Sequence, residues 1–337
     1  MKKESFSITV KKMKKMKIGF FPAGDISIAS SRIRVYSLFP KLKELGINYS
    51  VKPSLSELPT LDVIFVQKRI TPKILKYVRL AKLLRKTVIY DVDDFGDALW
   101  KYWTSQEEFS NILRLADAIT VGSESQKKII ERNYPGYKFM VFPCMVDYFP
   151  KEPVKIKSTN SKDFTIMWFG VIDNLSMFKR FIPALCQIPE IKIVIVTKCN
   201  SNIGMFPENP LIECISWNLD TFTQVLQKAD LCVLTHNGNA FDKAKTNNKM
   251  ITSITWGVPA IVSDTPEYAT TAIKAGVEYA IFSSVDDLVH LVKILKSPDE
   301  RKKYLEQAQP AIWSEYSPEV ITDKFLRICR EVREVKK

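Results

Sequence analysis

Lys245-Thr-Asn-Asn-Lys249-Met-Ile-Thr-Ser-Ile-Thr-Trp-Gly257-Val-Pro-Ala-Ile-Val-Ser-Asp264-Thr-Pro-Glu267-Tyr268 reads as a polar, lysine-bearing loop, a short helix, a Gly-Val-Pro turn and a buried strand ending at Asp264. A helix, a tight turn and a short apolar strand in succession form a building block of a parallel sheet flanked by helices. The stretch also places two lysines and two asparagines at or near a helix N-terminus. Free backbone N–H groups and the positive end of the dipole favour an anion there. A phosphate-bearing ligand fits that position.

The same alternation runs outward in both directions. Strands are expected at 18–21, 49–52, 63–66, 87–90, 118–121 and 139–142, with helical stretches at 32–45, 72–84, 106–116 and 125–133 between them. Within 32–45, Ile33, Tyr36, Phe39, Leu42 and Leu45 keep one face apolar, and Pro40 should kink or split the helix. A polar stretch at 149–163 has the composition of a linker. The pattern restarts at 164–170 and continues through 191–196, 212–216, 231–235, 260–263 and 279–282, ending in helices at 299–313 and 318–335. The expected fold class is α/β: two Rossmann-like doubly wound domains facing a cleft, the second built like the first. The expected division is a basic tail at 1–16, domains at 17–148 and 164–315 joined by the 149–163 linker, and a final helical segment at 316–337.

Composition narrows the classes. A chain of 337 residues favours two domains. No apolar run approaches the roughly 20 residues that a membrane span needs, and no signal-peptide pattern is present, so a cytoplasmic location is expected. The six cysteines, scattered without Cys-x-x-Cys spacing, read as buried thiols in a reducing compartment. Two histidines are too few for a histidine-rich metal site. The net charge of +13 admits nucleic acid, anionic lipid or a phosphorylated small molecule. No nucleic-acid motif accompanies it, so nucleic acid is not an expected partner. Lys2, Lys3, Lys11, Lys12, Lys14, Lys15 and Lys17 concentrate the charge, either as a contact with an anionic membrane surface or as a solvated tail upstream of a start at Met13 or Met16.

Ligands of doubly wound sheets sit beyond the carboxyl ends of the strands, so residues just after each strand are the candidates. After the first come Gly24, which is no Gly-x-Gly-x-x-Gly fingerprint, and Ser30-Ser31-Arg32-Ile33-Arg34. Ser30 or Ser31 is a natural N-cap, which would put Arg32 and Arg34 in the first turns, against the dipole, as binders of an anionic acceptor. Tyr90-Asp91-Val92-Asp93-Asp94 crowds carboxylates at a strand end, where repulsion and burial raise one pKa toward that of a general base. Asp91-Val92-Asp93 also has a metal-holding Asp-x-Asp spacing, a weak signal alone. In the second half, Gly170 allows close backbone approach, Lys179 offers charge and Trp217 a face for a nucleobase. Lys245 and Lys249 neutralise phosphate, Asn247 and Asn248 can cap the helix, and Glu267 can bond a sugar hydroxyl. Each has a plainer reading: surface charge for the arginines and Lys179, loop capping for Asp91, core packing for Trp217.

The pieces Ser30-Ser31-Arg32-Ile33-Arg34, Tyr90-Asp91-Val92-Asp93-Asp94, Ala116-Asp-Ala-Ile-Thr-Val-Gly-Ser123, Phe142-Pro-Cys-Met-Val-Asp147, Lys228-Ala-Asp-Leu-Cys-Val-Leu234 and Gly257-Val-Pro-Ala-Ile-Val-Ser-Asp264 occur in an order that resembles the GT-B glycosyltransferases, on the family-four-like side that builds bacterial surface polysaccharides. The resemblance implies transfer of a hexosyl or related sugar from a nucleotide-activated donor on the second domain to a glycan or lipid-linked acceptor on the first. It also implies no metal cofactor, and a C-terminal helix crossing back to the first domain. Donor contacts then fall to Gly24, Gly170, Lys179, Trp217, Lys245, Asn248, Lys249 and Glu267, acceptor contacts to Arg32 and Arg34, and catalysis to Asp93, Asp94 and Lys249. Retention is the expected course and requires no protein base; inversion would make Asp93 or Asp94 the base. The chain departs from the family at Thr252 and Ala244, which replace its Glu-x7-Glu pair, and at Val171, which replaces an arginine. Those departures leave open an inactive scaffold that binds a phosphorylated glycan or acts as a partner subunit.

Overall fold

A computed structural model describes residues 16–148, 150–155, 163–198, 209–236 and 243–335. The basic run from Lys2 to Lys15 and much of the 149–163 linker lie outside the described residues. Two compact units emerge. One takes in the residues up to Asp147, Ala244–Thr246 and those from Tyr316 onward; the other takes in Tyr148–Lys243 and Asn247–Glu315.

The first unit is built on β1 (Lys17–Phe21), β2 (Asn48–Val51), β3 (Val63–Gln67), β4 (Thr87–Val92), β5 (Ala118–Val121) and β6 (Phe139–Val141), all parallel in the order β2-β1-β3-β4-β5-β6. Strands β3, β4 and β5 are buried along their whole length, as their largely apolar sequences require in a sheet covered on both faces. The second unit holds β7 (Phe164–Phe169), β8 (Ile191–Thr197), β9 (Ile212–Ser216), β10 (Leu231–Leu234), β11 (Ala260–Ser263) and β12 (Ile281–Phe282), parallel in the order β12-β11-β10-β7-β8-β9. Both units are doubly wound α/β sheets, yet the second does not copy the first. Strand order reverses between β1 and β3 in one and between β7 and β10 in the other, and those two gaps are where ligands of such sheets bind.

The 32–45 stretch splits as Pro40 demands, into a helix Ala29–Arg34, a 3-10 turn Tyr36–Leu38 and a helix Phe39–Glu44 with Pro40 in its first turn. The first helix starts at Ala29, so neither Ser30 nor Ser31 caps it. Arg32 and Arg34 therefore lie in its last turn, where they complement the dipole instead of opposing it. The C-terminal helix Pro318–Val335 packs in the first unit, its Phe325 ring stacked on Phe20 at 5.7 Å and edge-on to Phe65 at 5.3 Å. Among the described cysteines Cys144, Cys232 and Cys329 are buried thiols, whereas Cys214 is exposed on the edge strand β9.

β4 runs on to Val92, which puts Asp91 inside the strand and not in the loop after it. Its carboxylate accepts hydrogen bonds from Arg34 Nε and Nη2 and, at 2.7 Å, from Thr120 Oγ1 of β5. Arg34 Nη1 donates to the Phe142 carbonyl at 2.8 Å, and the guanidinium lies 4.7 Å from the centre of the Phe142 ring. Both side chains of the pair are wholly buried. Burial disfavours the arginine's charge, but Asp91 outweighs it and raises the Arg34 pKa above its ordinary value. Arg34 thus has no surface to offer an acceptor, which corrects its reading as an acceptor-binding residue. Arg32 is nearly as enclosed, forked onto Asp147 by two 2.8 Å bonds. Asp91→Ala, which strands the Arg34 charge, should destabilise the first unit by about 3–5 kcal/mol in denaturant unfolding, and a loss under about 1 kcal/mol would show that the pair is dispensable.

Candidate functional site

At the reversal point of the first unit, β1 leads into Gly24 and β3 into Lys68. Gln67 Oε1 ties the two turns together, accepting from Ala23 N at 3.0 Å and from Ser31 Oγ at 3.1 Å. The Gly24 N–H donates to Ser31 Oγ at 2.9 Å, and a Cβ at Gly24 would meet Ile28 Cγ1 at 2.6 Å. Glycine is needed there for the close packing of its own loop.

Lys68, absent from the sequence-derived candidates, is the centre of the polar cluster. Its φ of 29° lies in the left-handed region that disfavours non-glycine residues, and the fold holds it there from three sides. Its N–H donates to the Asp91 carbonyl at 2.8 Å, its carbonyl accepts from the Tyr90 hydroxyl at 2.9 Å, and its Nζ lies 4.6 Å from the centre of the Trp103 ring. The Lys68 side chain is only 2% exposed. Nζ donates to Asp94 Oδ2 at 2.8 Å and stands 3.2 Å from Asp93 Oδ1. Asp94 Oδ1 in turn accepts from Lys245 Nζ at 3.0 Å. Asp93, Lys68, Asp94 and Lys245 form a chain of alternating charge.

The cluster divides the two aspartates. Burial alone would raise Asp94, but Lys68 and then Lys245 hold its carboxyl well below the usual carboxylate range. Asp93 is pushed up by burial; Lys68 counteracts part of that, and the neighbouring Asp94 charge adds to it. Lys68 itself is raised, since its two aspartates outweigh its burial. Asp94 is therefore held as an anion, and Asp93 is the member whose carboxyl is pushed above its ordinary range. In the sequence Lys68 adjoins Arg69 in a basic run and passes for surface charge. Its place immediately after β3 was the available signal.

The second unit's reversal lies between β7 and β10. Gly170 follows β7, and the helix Asn248–Thr255 brings in Lys249. A Cβ on Gly170 would come within 3.2 Å of Lys249 Nζ and 3.1 Å of Trp168 Cη2, so the glycine leaves room for the lysine head beside the indole. Trp168 Nε1 donates to Thr235 Oγ1 at 3.3 Å, directly after β10. His236 follows, buried, with its backbone N–H on Ser263 Oγ at 2.9 Å and its ring 5.3 Å from that of Tyr268. Sequence reasoning gave His236 no role, although it too stands at a strand end.

The other candidates are spread along this sheet. Asn247 occupies the N-cap position without capping; its Nδ2 donates instead to Thr271 Oγ1 at 2.8 Å. Asn248 is the first helical residue. Glu267 lies in the first turn of the helix Pro266–Lys274 after β11, where Thr265 is the N-cap. Lys179 is exposed on the short helix Ser176–Lys179, and Trp217 follows the edge strand β9, its N–H on the Thr197 carbonyl at 2.8 Å. Lys245 and Lys249, which read as one anion site, take different partners. Lys245 belongs with Asp94 in the first unit, Lys249 with Gly170 in the second.

Neither a protein-family model nor a curated protein sequence matches the chain. Solved structures do. Anabaena HepE, crystallised in complex with UDP and glucose, superposes with a TM-score of 0.65 at 13% identity, over 93% of this chain and 99% of that one. A glycosyltransferase from Rickettsia africae gives 0.63 at 12% identity over 94% and 98%. An alpha,alpha-trehalose 6-phosphate synthase from Burkholderia multivorans gives 0.63 at 10% over 96% and 100%. The chain has the GT-B glycosyltransferase fold. The Lys68-centred cluster and the Gly170–Lys249 approach stand at the two strand-order reversals of this fold.

The depressed pKa of Asp94 carries a pH signature. A carboxylate held below its unfolded pKa of about 4 adds stability above that pH and loses it as the pH falls through the folded value. Asp94→Asn should therefore lower the unfolding midpoint of the first unit at pH 7, by an amount that shrinks steadily as the buffer is taken below about pH 4. A deficit that does not vary with pH would contradict the assignment.

Proposed function

We propose that the chain is a glycosyltransferase that moves a sugar from a nucleotide-activated donor to a surface glycan or lipid-linked acceptor, with retention and without a metal cofactor. The observation that carries this reading is Lys249 Nζ beside Gly170, at the reversal point of the second sheet and in the first turn of the helix Asn248–Thr255. A diphosphate there would meet a lysine head and the backbone N–H groups of a helix start, which carries no side-chain cap among the described residues. Fixed positive charge at that place stabilises the charge that develops on a departing nucleotide diphosphate. Uridine nucleotides are the first donors to test, because HepE was crystallised with UDP and with UDP-glucose.

In this reading Asn248 and Lys249 hold the diphosphate, Gly170 admits it, Trp217 lies along the base, and Lys179 and Glu267 reach its outer groups. The first unit handles the acceptor through Asp93, which orients its hydroxyl under retention and would take its proton under inversion. Lys245 acts indirectly, by keeping Asp94 ionised. No helix among the described residues is long and apolar enough to cross a membrane. A peripheral position on the cytoplasmic face would bring a lipid-linked acceptor within reach.

The inactive-scaffold reading is favoured by Ala244 and Thr252, both buried small residues where the resembled family carries a pair of glutamates. Thermal shifts with uridine, guanosine, cytidine and thymidine diphosphates separate the two, since a bound nucleotide raises the melting temperature. With the donor known, Lys249→Ala should cut turnover roughly tenfold or more at an unchanged melting temperature. Undiminished turnover would remove Lys249 from the site; no shift with any nucleotide would favour the scaffold.

A further inference from the structure

Residues 68–90 contain Lys68, Arg69, Lys73, Lys76, Arg79, Lys82, Arg85 and Lys86 but no aspartate or glutamate. Four of these cations have partners: Lys68 in the aspartate cluster, Arg69 on the Ala23 carbonyl at 3.5 Å, Lys82 on Asp117, and Lys86 on the Pro59 carbonyl at 2.6 Å. Lys73, Lys76, Arg79 and Arg85 are exposed, and among the described residues no carboxylate pairs with them. On the helix Pro72–Leu83 the first three, with Leu80 and Leu83, occupy one arc of about 120° at 3.6 residues per turn. The opposite arc buries Leu75, Tyr77, Val78 and Ala81 in the first unit's core.

The end of this helix adds a second, independent feature. Leu83 is 78% exposed and Leu84 49% exposed, and Arg85 follows in the left-handed region with φ 56°. The helix closes there by Arg85 N to the Lys82 carbonyl and Lys86 N to the Ala81 carbonyl, both at 2.9 Å, a terminus at which glycine is the usual residue. A cation is therefore held beside two leucines in a conformation that disfavours it.

We propose that the face formed by Lys73, Lys76, Arg79, Leu83, Leu84 and Arg85 docks the protein on an anionic lipid bilayer. Cations alone would suit any polyanion. The leucines select the bilayer, because apolar side chains gain only where there is hydrocarbon beneath the charged headgroups, and lysine and arginine stems reach up to the phosphates from that depth. The proposal stands apart from sugar transfer and from the N-terminal lysines.

The test is co-sedimentation of the full chain with vesicles of equimolar phosphatidylglycerol and phosphatidylcholine, against phosphatidylcholine alone and against heparin in solution. A Lys or Arg near such a surface strengthens attachment about fivefold, so Lys76→Glu with Arg79→Glu should weaken binding more than tenfold. Leu83→Ser with Leu84→Ser should weaken vesicle binding severalfold and leave heparin binding unchanged. All four positions are exposed, and unaltered melting curves would show that the variants are folded. Three results would overturn the proposal: no attachment of the unmodified chain, attachment that only glutamine at Lys2, Lys3, Lys11, Lys12, Lys14 and Lys15 abolishes, or attachment indifferent to the leucines. The last would mark a charge-only polyanion surface.

Discussion

A guanidinium with no route to water has to be neutralised where it stands, and in the first unit that condition is met by Arg34 and Asp91. The pair draws in Thr120 from β5 and the Phe142 carbonyl just after β6, so one buried charge anchors the helix Ala29–Arg34 to the carboxyl ends of three strands. Its worth lies in the penalty for breaking it, since a lone buried charge is far more costly than the pair is favourable. Asp91 is consumed by this task. Of the three aspartates in Asp91-Val92-Asp93-Asp94, the other two meet Lys68 instead.

Those two are sorted by a residue that strains the backbone to reach them. Lys68 at φ 29° brings an ammonium between Asp93 and Asp94, and Lys245 adds a second cation on Asp94 alone. Two neighbouring carboxylates in one buried place cannot titrate alike, and the unequal supply of cations holds Asp94 low while burial pushes Asp93 up. The second unit solves a different problem at its own reversal point. There a glycine makes room for a lysine head next to an indole, which leaves the positive charge close to backbone and helix start.

Much of the fold was legible because buried parallel strands and amphipathic helices impose unlike periods. The strand at 118–121 and the helix at 318–335 have the observed bounds, and Pro40 split its helix as its missing N–H requires. The site was legible only in outline. Gly170 and Lys249 were both read from strand-end and helix-start positions, and they meet. Arg34 and Lys68 were misjudged in opposite senses: one taken for a binding group and found sealed in the core, the other passed over and found at the cluster's centre. Burial separates the two cases, and burial depends on what the rest of the chain packs against each residue.

By itself the sequence determined the alternation of elements, the two parallel sheets and the set of polar residues at their carboxyl ends, because period and local propensity act over a few residues. Tertiary structure alone decided strand order, with its reversal at β1/β3 in one unit and β7/β10 in the other, and the partner of each charge. A charge's partner is settled across tens or hundreds of residues, 57 between Arg34 and Asp91 and 151 between Asp94 and Lys245, by desolvation that no local pattern records.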